Sequence, residues 1–396
     1  MITQPIRYIT DQQALGELCL QIQRAPRLAV DTEFVGEDTF VPRLELVQVA
    51  TVEMSAVIDV PATGPLDALW ELLSDGRIEK VVHAGRQDLE LVYAHAKQVP
   101  SPVFDTQMAA AMVGYGTQIS YAQLVERVVG AKIAKSHTLT NWSYRPLTEE
   151  QLAYALDDVH YLLPVHDHLV QRLQSMGRQA WMQEEFARLT GSLTDGSREP
   201  RQRYQRIKGW EGLKPQAAAV LRELVAWRDE EARRRNVPRG RIVRDEVLLQ
   251  LARHIPKTPA ALRSTRGLNG SEVERNGAAM MEAIRRGLAV PPGEWPDVPK
   301  TRRPEPESIG QVEVLQAVLK ARAAELNIAP TLLATAADLQ AVIEMRITRQ
   351  ATDVPLLQGW RRELAGKLLL EVLDGKVSLS IDPKAGQVKL SRVGEA

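Results

Sequence analysis

A change of hydrophobic period along the chain constrains its fold more than any other feature. Apolar, partly β-branched runs of the kind that form strands crowd into the first part, at Arg27–Asp31, Leu44–Ala50, Ser55–Val60 and, shorter, Val81–His83. Helical spacing lies between and after them, at Asp11–Gln23, Pro65–Leu73, Asp88–Ala96, Thr106–Val113 and Tyr121–Val129. A longer helix is expected from Thr148 to Leu173, opened by a Thr148 to Gln151 stretch of capping-box form. Leu189–Pro200 is polar and bears Gly and Ser, as a linker does. After it the strand signal nearly vanishes. Residues 206–290 read as helices, Val290–Glu307 carries six prolines and reads as a second, extended linker, and residues 308–375 are helical again. A short hairpin is expected at Val377–Ile381 and Gln387–Leu390. With 396 residues the chain is too long for one ordinary core, so an α/β domain followed by helical domains is the expected organisation.

The two helical stretches align with each other at a constant offset of 91 residues. Leu224, Ala232, Asn236-Val237-Pro238, Leu248 and Leu251 fall on Leu315, Ala323, Asn327-Ile328-Ala329, Leu339 and Val342. The shared helix–Asn–apolar–helix layout points to an internal duplication.

Net charge is zero, yet its distribution is uneven. Lys and Arg number 16 against 26 Asp and Glu over residues 1–200, 20 against 10 over 201–290, and 14 against 14 over 291–396. An acidic first half suits hard cations, and a basic module suits a phosphate backbone. The single cysteine, Cys19, excludes an internal disulfide and a Cys-cluster zinc site. No stretch approaches the roughly 18–20 apolar residues that span a bilayer, and Met1–Thr10 lacks the pattern of a signal peptide. A cytoplasmic location without a membrane partner is expected. No GxxxxGK[ST] phosphate loop occurs, so no nucleotide triphosphate is expected to bind.

Three groups of residues carry the chemistry. Asp31-Thr32-Glu33 follows the apolar Leu28-Ala29-Val30, and strand alternation would aim both acids at one face and Thr32 at the other. Two carboxylates side by side on a buried strand repel each other unless a cation neutralises them. His83-Ala84-Gly85-Arg86-Gln87-Asp88 closes a strand-to-helix turn with Asp88 at the helix start. Tyr154 and Asp158 lie four apart on a helix and share a face, with Asp157 about 100° away. Singly, each has a plainer reading: a strand ending in solvent, an N-capping Asp88, or a core tyrosine beside an exposed acid. Their combination decides.

In this order the residues resemble the DEDDy group of exonucleases, and most closely the ribonuclease D family. That family reads D-x-E on the first strand, H-x-x-x-x-D at a strand–helix junction, and Y-x-x-x-D on a late helix. Leu46-Val-Gln48-Val-Ala, Phe104-Asp-Thr-Gln107 and Trp142-Ser-Tyr-Arg145-Pro-Leu-Thr148 agree with it as well. Departures are Thr140-Asn141-Trp142, where relatives often carry Ser-Asp-Trp, and Gln87, where an acid often precedes the catalytic Asp.

The resemblance implies a ribonuclease H-like α/β exonuclease domain over 1–200, a mixed sheet flanked by helices. Two all-α HRDC-type domains would follow, one over 206–290 and a diverged copy over 305–392. It implies a 3′→5′ exoribonuclease that trims RNA with a free 3′ end, such as a tRNA precursor, and releases nucleoside 5′-monophosphates. Catalytic residues would be Asp31, Glu33, Asp88, Tyr154 and Asp158, the four acids holding two divalent ions, Mg²⁺ or Mn²⁺. Tyr154 would orient the attacking water, since a phenol near pKa 10 is a poor base at neutral pH. Arg145, Lys132, Lys135, Arg234 and Arg239 are candidate RNA contacts, and His83 a structural residue of its turn. The protein is expected to act as a monomer. A DNA 3′→5′ exonuclease and a non-catalytic nucleic-acid adaptor are the alternatives. The adaptor would lack a metal ligand, and none is missing.

Overall fold

The computed structural model describes residues 7–36, 38–133, 140–195, 200–298, 306–348, 354–384 and 386–393. Among them, the early apolar runs assemble one mixed sheet from β1 (Arg7–Ile9), β2 (Arg27–Val35), β3 (Arg43–Ala50), β4 (Ser55–Asp59), β5 (Glu79–Val82) and β6 (Val103–Asp105). The order across the sheet is β1-β4-β3-β2-β5-β6. β3 runs antiparallel to β2 and β4, and the other pairs are parallel. β1 and β6 escape sequence reading because three residues show no period; pairing with β4 and β5 makes them strands.

β2 does not end at Asp31. Its pairing with β3 continues through Asp31↔Gln48, Thr32↔Val47 and Glu33↔Leu46 to a bulge after Glu33. Its pairing with β5 stops at Ala29↔Val81, so the second half of β2 has an open edge on that side. Leu28 and Val30 pack with the helices Gln12–Ile22, Asp67–Ser74 and Arg86–Ala96 on one face. Ala29 packs with the helices Thr106–Met112, Tyr121–Val129 and Leu162–Ser175 on the other. Strand alternation therefore settles which flank each acid can reach.

The long helix expected over Thr148–Leu173 is two helices, Glu149–His160 and Leu162–Ser175. The capping box at its start forms, with Thr148 and Gln151 bonding each other's backbone. At the break, the Tyr121 hydroxyl is wedged into the helical ladder. It donates to the Asp157 carbonyl and accepts from the Tyr161 N–H, both at 3.1 Å. These are the two groups that an unbroken helix would join to each other, and an inserted side chain of this kind kinks a helix. Pro164 then falls in the first turn of the second helix, where its missing N–H costs nothing.

The first part of the expected linker at Leu189–Pro200 is instead the end of the helix Gln179–Asp195, which buries Leu189 and Leu193 against the sheet domain. The basic module packs the helices Pro215–Arg235, Asp245–His254 and Gly270–Ala289 around Leu221, Leu224, Leu248, Leu251 and Ile284. A Cβ on Gly287 would stand 2.5 Å from Val220 Cα, so two of these helices meet nearly backbone to backbone.

The two helical stretches share a turn geometry. Asn236 and Asn327 both end a helix in the left-handed region, at φ 50° and 48°. The next amide bonds back equivalently, Val237 to the Ala232 carbonyl at 3.0 Å and Ile328 to the Ala323 carbonyl at 2.9 Å. Short helices follow at Arg239–Ile242 and Pro330–Leu333, again 91 residues apart. Each Asn turn also docks on the sheet domain. Asn236 Oδ1 accepts from the Phe40 amide at 3.3 Å, while Asn327 lies against Gly114, with its carbonyl 3.4 Å from Arg178 Nη1.

The third segment shares its core with the sheet domain. Leu315, Leu339, Val342 and Trp360 belong to one buried cluster with Met112, Leu162 and Leu169. Arg361 and Glu185 form a buried bidentate pair there, with Nη2 to Oε2 at 2.7 Å, and the Trp360 indole donates to Glu185 at 3.1 Å. The terminal hairpin pairs Val377–Ile381 with Val388–Arg392, so this segment is not purely helical. Among the described residues no helix is long and apolar enough to cross a membrane.

Candidate active site

The residues that sequence reading singled out arrive from three directions. Asp31 and Glu33 lie on the β2 face that looks toward the late helices, because they alternate with Thr32 as Ala29 does with Val30. Asp158 is presented by the helix Glu149–His160, just before the break made by Tyr121. Carboxylate oxygens of Asp31, Glu33 and Asp158 all lie within 4.8 Å of one another.

Asp88 comes from the opposite face. It sits in the first turn of Arg86–Ala96, whose N-cap is Gly85, so it does not cap the helix. Instead Asp88 Oδ1 accepts a hydrogen bond from the Thr32 hydroxyl, which points to the face away from Asp31 as alternation requires. The open edge of β2 beyond Ala29 leaves Asp88 close enough to act electrostatically on the other three acids. It stands outside the converging trio.

Electrostatics shows what this arrangement can hold. Burial, then Asp88, Asp158 and Glu33, push the Asp31 carboxyl well above the carboxylate range. Burial, Asp158 and Asp88 push Glu33 up to about 8, and burial, Asp157 and Asp88 push Asp158 up to about 7. Asp88 is raised by burial, against the hydrogen bond from Thr32. Four buried acids, each raised by burial and most of them by neighbouring carboxylates, form a site for positive charge. All the donors are hard oxygens, which fits a divalent Mg²⁺-like ion and not a soft metal.

Aromatic side chains frame the cluster. Tyr154, one turn before Asp158, has its pKa raised by burial and then by Asp158, Glu33 and Asp31, so its proton stays on. Trp142 stacks on it with ring centroids 6.1 Å apart, and the Trp142 side chain hydrogen-bonds Glu33. The loop that carries Trp142 is pinned by Arg145, which pairs with Asp59, with Nη2 to Oδ1 at 3.1 Å, and donates to the Trp142 carbonyl at 2.5 Å. Tyr8 adds a hydrogen bond to the same Asp59.

The candidate RNA contacts fare unevenly. Arg145 is committed to Asp59 and to backbone carbonyls, so its geometry is that of a loop anchor. Arg234 spends its donors on Glu231, at 2.6 and 2.8 Å. Arg239 pairs with Asp229 at 2.6 Å and lies over the Phe40 ring, 4.3 Å from its centroid. Lys132 is exposed, and Lys135 lies outside the described residues. His83 is a turn residue as expected, held between the Thr106 hydroxyl at 2.9 Å and the Ile119 carbonyl at 3.1 Å.

Sequence reading missed two residues. Trp142 stands in the sequence only as part of a motif, and its indole N–H is the one signal that it could reach an acid. Tyr121 was one helix-face residue among others, and nothing in its spacing shows that its hydroxyl reaches the helix beside Asp158.

Comparison with known proteins agrees with this geometry. A family described as 3′-5′ exonuclease matches residues 6–174, and the HRDC domain family matches residues 217–284. The chain is 39% identical over 386 residues to ribonuclease D of Nitrobacter hamburgensis, covering 97% of this chain and 99% of that one. It is 37% identical over 397 residues to ribonuclease D of Granulibacter bethesdensis, covering 98% and 96%. Among solved structures it resembles Escherichia coli RNase D, an exoribonuclease involved in structured RNA processing, with a TM-score of 0.84 at 29% identity over 94% of this chain and 99% of that one. With an acidic cluster on an exonuclease sheet, a helical HRDC domain behind it and relatives matched over nearly their whole length, this chain belongs to the ribonuclease D family of 3′→5′ exoribonucleases.

Proposed function

We propose that this exoribonuclease trims the 3′ ends of structured RNA, tRNA precursors in particular, one nucleoside 5′-monophosphate at a time. The convergence of Asp31, Glu33 and Asp158 within 4.8 Å carries the reading. These three carboxylates would hold two divalent ions, Mg²⁺ or Mn²⁺, and Asp88, fixed by Thr32, would complete the set from the far side of β2. When bound, such ions activate the attacking water and stabilise the leaving oxygen of an in-line displacement. Tyr154 keeps its proton and orients the water, and Trp142 holds both Glu33 and the Tyr154 ring in place. The protein acts as a monomer in the cytoplasm, its exonuclease domain over 1–200 followed by HRDC domains over 206–290 and 305–392. The second of these is assigned from the repeated Asn turn and the 91-residue offset.

The test is digestion of a 3′-tailed tRNA precursor with Mg²⁺ and with EDTA, comparing wild type with Asp158→Ala. Stepwise shortening of the tail by wild type in Mg²⁺ alone is expected. Loss of one ligand should lower the rate by about two orders of magnitude or more. Equal rates for the two proteins would overturn the site assignment.

A further inference from the structure

Two cavities at the junction of the exonuclease and HRDC domains share one wall. The first, of about 330 Å³, is lined by Phe34, Phe40 and Gln87 on the exonuclease side and by Arg203, Arg206 and Arg239 on the other. The second, of about 500 Å³, is lined by the same three arginines together with Arg228 and Arg244. Both volumes fall in the roughly 300–1,000 Å³ range of ligand sites. The lining of the first cavity adjoins the acidic residues in sequence: Phe34 follows Glu33, and Gln87 precedes Asp88.

Charge around the second cavity is unbalanced. Five arginines face three acids, Asp229, Asp245 and Glu246. The buried Asp229 is shared by Arg203 at 3.3 Å and Arg239 at 2.6 Å, and Arg228 is committed to Asp245 and the Val243 carbonyl. Arg206 and Arg244 are exposed and have no ion-pair partner among the described residues. Arg203, crowded by burial and then by Arg239, Arg206 and Arg233, is held below the usual guanidinium range, which shows how densely cations are packed here. Arg203, Arg206 and Arg239 line the first cavity opposite Phe34 and Phe40, beside one acid, Glu90, and the same three continue into the second, where Arg244 joins them. Phosphate takes the fork geometry of Arg, and a base takes an apolar or aromatic wall.

From this we infer that the junction is a subsite for the RNA strand upstream of the scissile bond, with a base against Phe34 and backbone phosphates on Arg206 and Arg244. The inference rests on the exoribonuclease reading and adds where the rest of the substrate lies. The strand leaves the acidic cluster along the open edge of β2 and crosses onto the HRDC domain at its arginine wall. In the Arg233–Arg235 run, which looks the more basic in sequence, Arg234 and Arg235 are both paired with Glu231, and Arg233 lies over the Phe40 ring, 5.5 Å from its centroid.

The test uses the full chain with Arg206→Ala and Arg244→Ala combined. Both residues are exposed and have no ion-pair partner among the described residues. A control carries Arg263→Ala and Arg266→Ala, two exposed arginines elsewhere on the same domain. Binding of a fluorescent single-stranded RNA is read by anisotropy in EDTA across salt concentrations, and turnover is read in Mg²⁺ with a dinucleotide, which is too short to reach the junction, and with a long strand. Loss of two phosphate contacts should flatten the slope of log affinity against log salt by about 1.4, at roughly 0.7 for each contact on a single strand. KM for the long strand should rise about tenfold, with kcat and dinucleotide turnover unchanged. An equal effect in the control, an unchanged salt slope, or equal losses on both substrates would overturn the inference. A site for the free product would instead lose inhibition by nucleoside 5′-monophosphate and leave long-strand KM alone, which would overturn it too. Failure of wild type to degrade any RNA would sink the exoribonuclease reading instead, and the anisotropy arm would still report on the junction.

Discussion

Replacing Asp158 with Asn is expected to stabilise the metal-free protein while abolishing its activity. Burial first, then Asp157 and Asp88, raise this carboxyl from 3.8 to about 7. A folded-state pKa above the unfolded one means that the native state holds the proton more tightly, so ionisation weakens the fold. The burden is absent below the unfolded value, grows as pH rises, and is complete above about 7. At about 1.4 kcal/mol for each pH unit, the full displacement corresponds to about 4 kcal/mol. Asp158 in turn raises Asp31 and Glu33, so the titrations are linked and a gain of about 1–3 kcal/mol is expected. The assay is urea unfolding in EDTA of wild type and Asp158→Asn, near pH 4 and near pH 8.5. The variant should be the more stable at high pH, with the difference shrinking toward nothing near pH 4. Saturating Mg²⁺ should reverse the order, because ligand binding then stabilises wild type selectively. A variant no more stable than wild type at high pH would refute the claim that these acids burden the metal-free fold.

Three further outcomes follow from particular contacts. Tyr121→Phe keeps the ring and removes the wedge, letting Tyr161 bond Asp157 directly; kcat should fall by about tenfold to a hundredfold through displacement of Asp158, and an unchanged kcat would show that the break plays no part in placing it. Trp142→Phe removes the hydrogen bond to Glu33, so the Mg²⁺ concentration for half-maximal rate should rise by about tenfold, near 1.4 kcal/mol; identical Mg²⁺ curves would contradict this. Glu185→Ala strands the buried Arg361 guanidinium and should cost roughly 3–5 kcal/mol in urea unfolding; a loss below 1 kcal/mol would mean that the third segment does not brace the sheet domain.

What could be read from sequence was what a short stretch encodes by itself. The alternation of Leu28 to Glu33 announced a strand with two acids on one face, and Thr148 with Gln151 announced a helix start. The 91-residue repeat was legible because its Asn must adopt a left-handed turn in both copies. What failed was set by partners distant in the chain. β1 and β6 exist only through pairing, and the helix break at Tyr161 depends on a hydroxyl that arrives from residue 121. Arg145 and Arg234 read as free cations because Asp59 lies 86 residues from the one in sequence, and Glu231, three residues before the other, pairs with it only once both are on a helix. The third segment reads as an independent helical domain, yet its core is continuous with that of the sheet domain.

Diffraction from crystals soaked in Mn²⁺, with data collected at the manganese edge, tests the central claim most directly. Anomalous peaks should appear between the carboxylates of Asp31, Glu33 and Asp158, with a second within reach of Asp88, and should vanish in Asp31→Asn. Manganese bound elsewhere on the chain, with these oxygens still unliganded, would contradict the account.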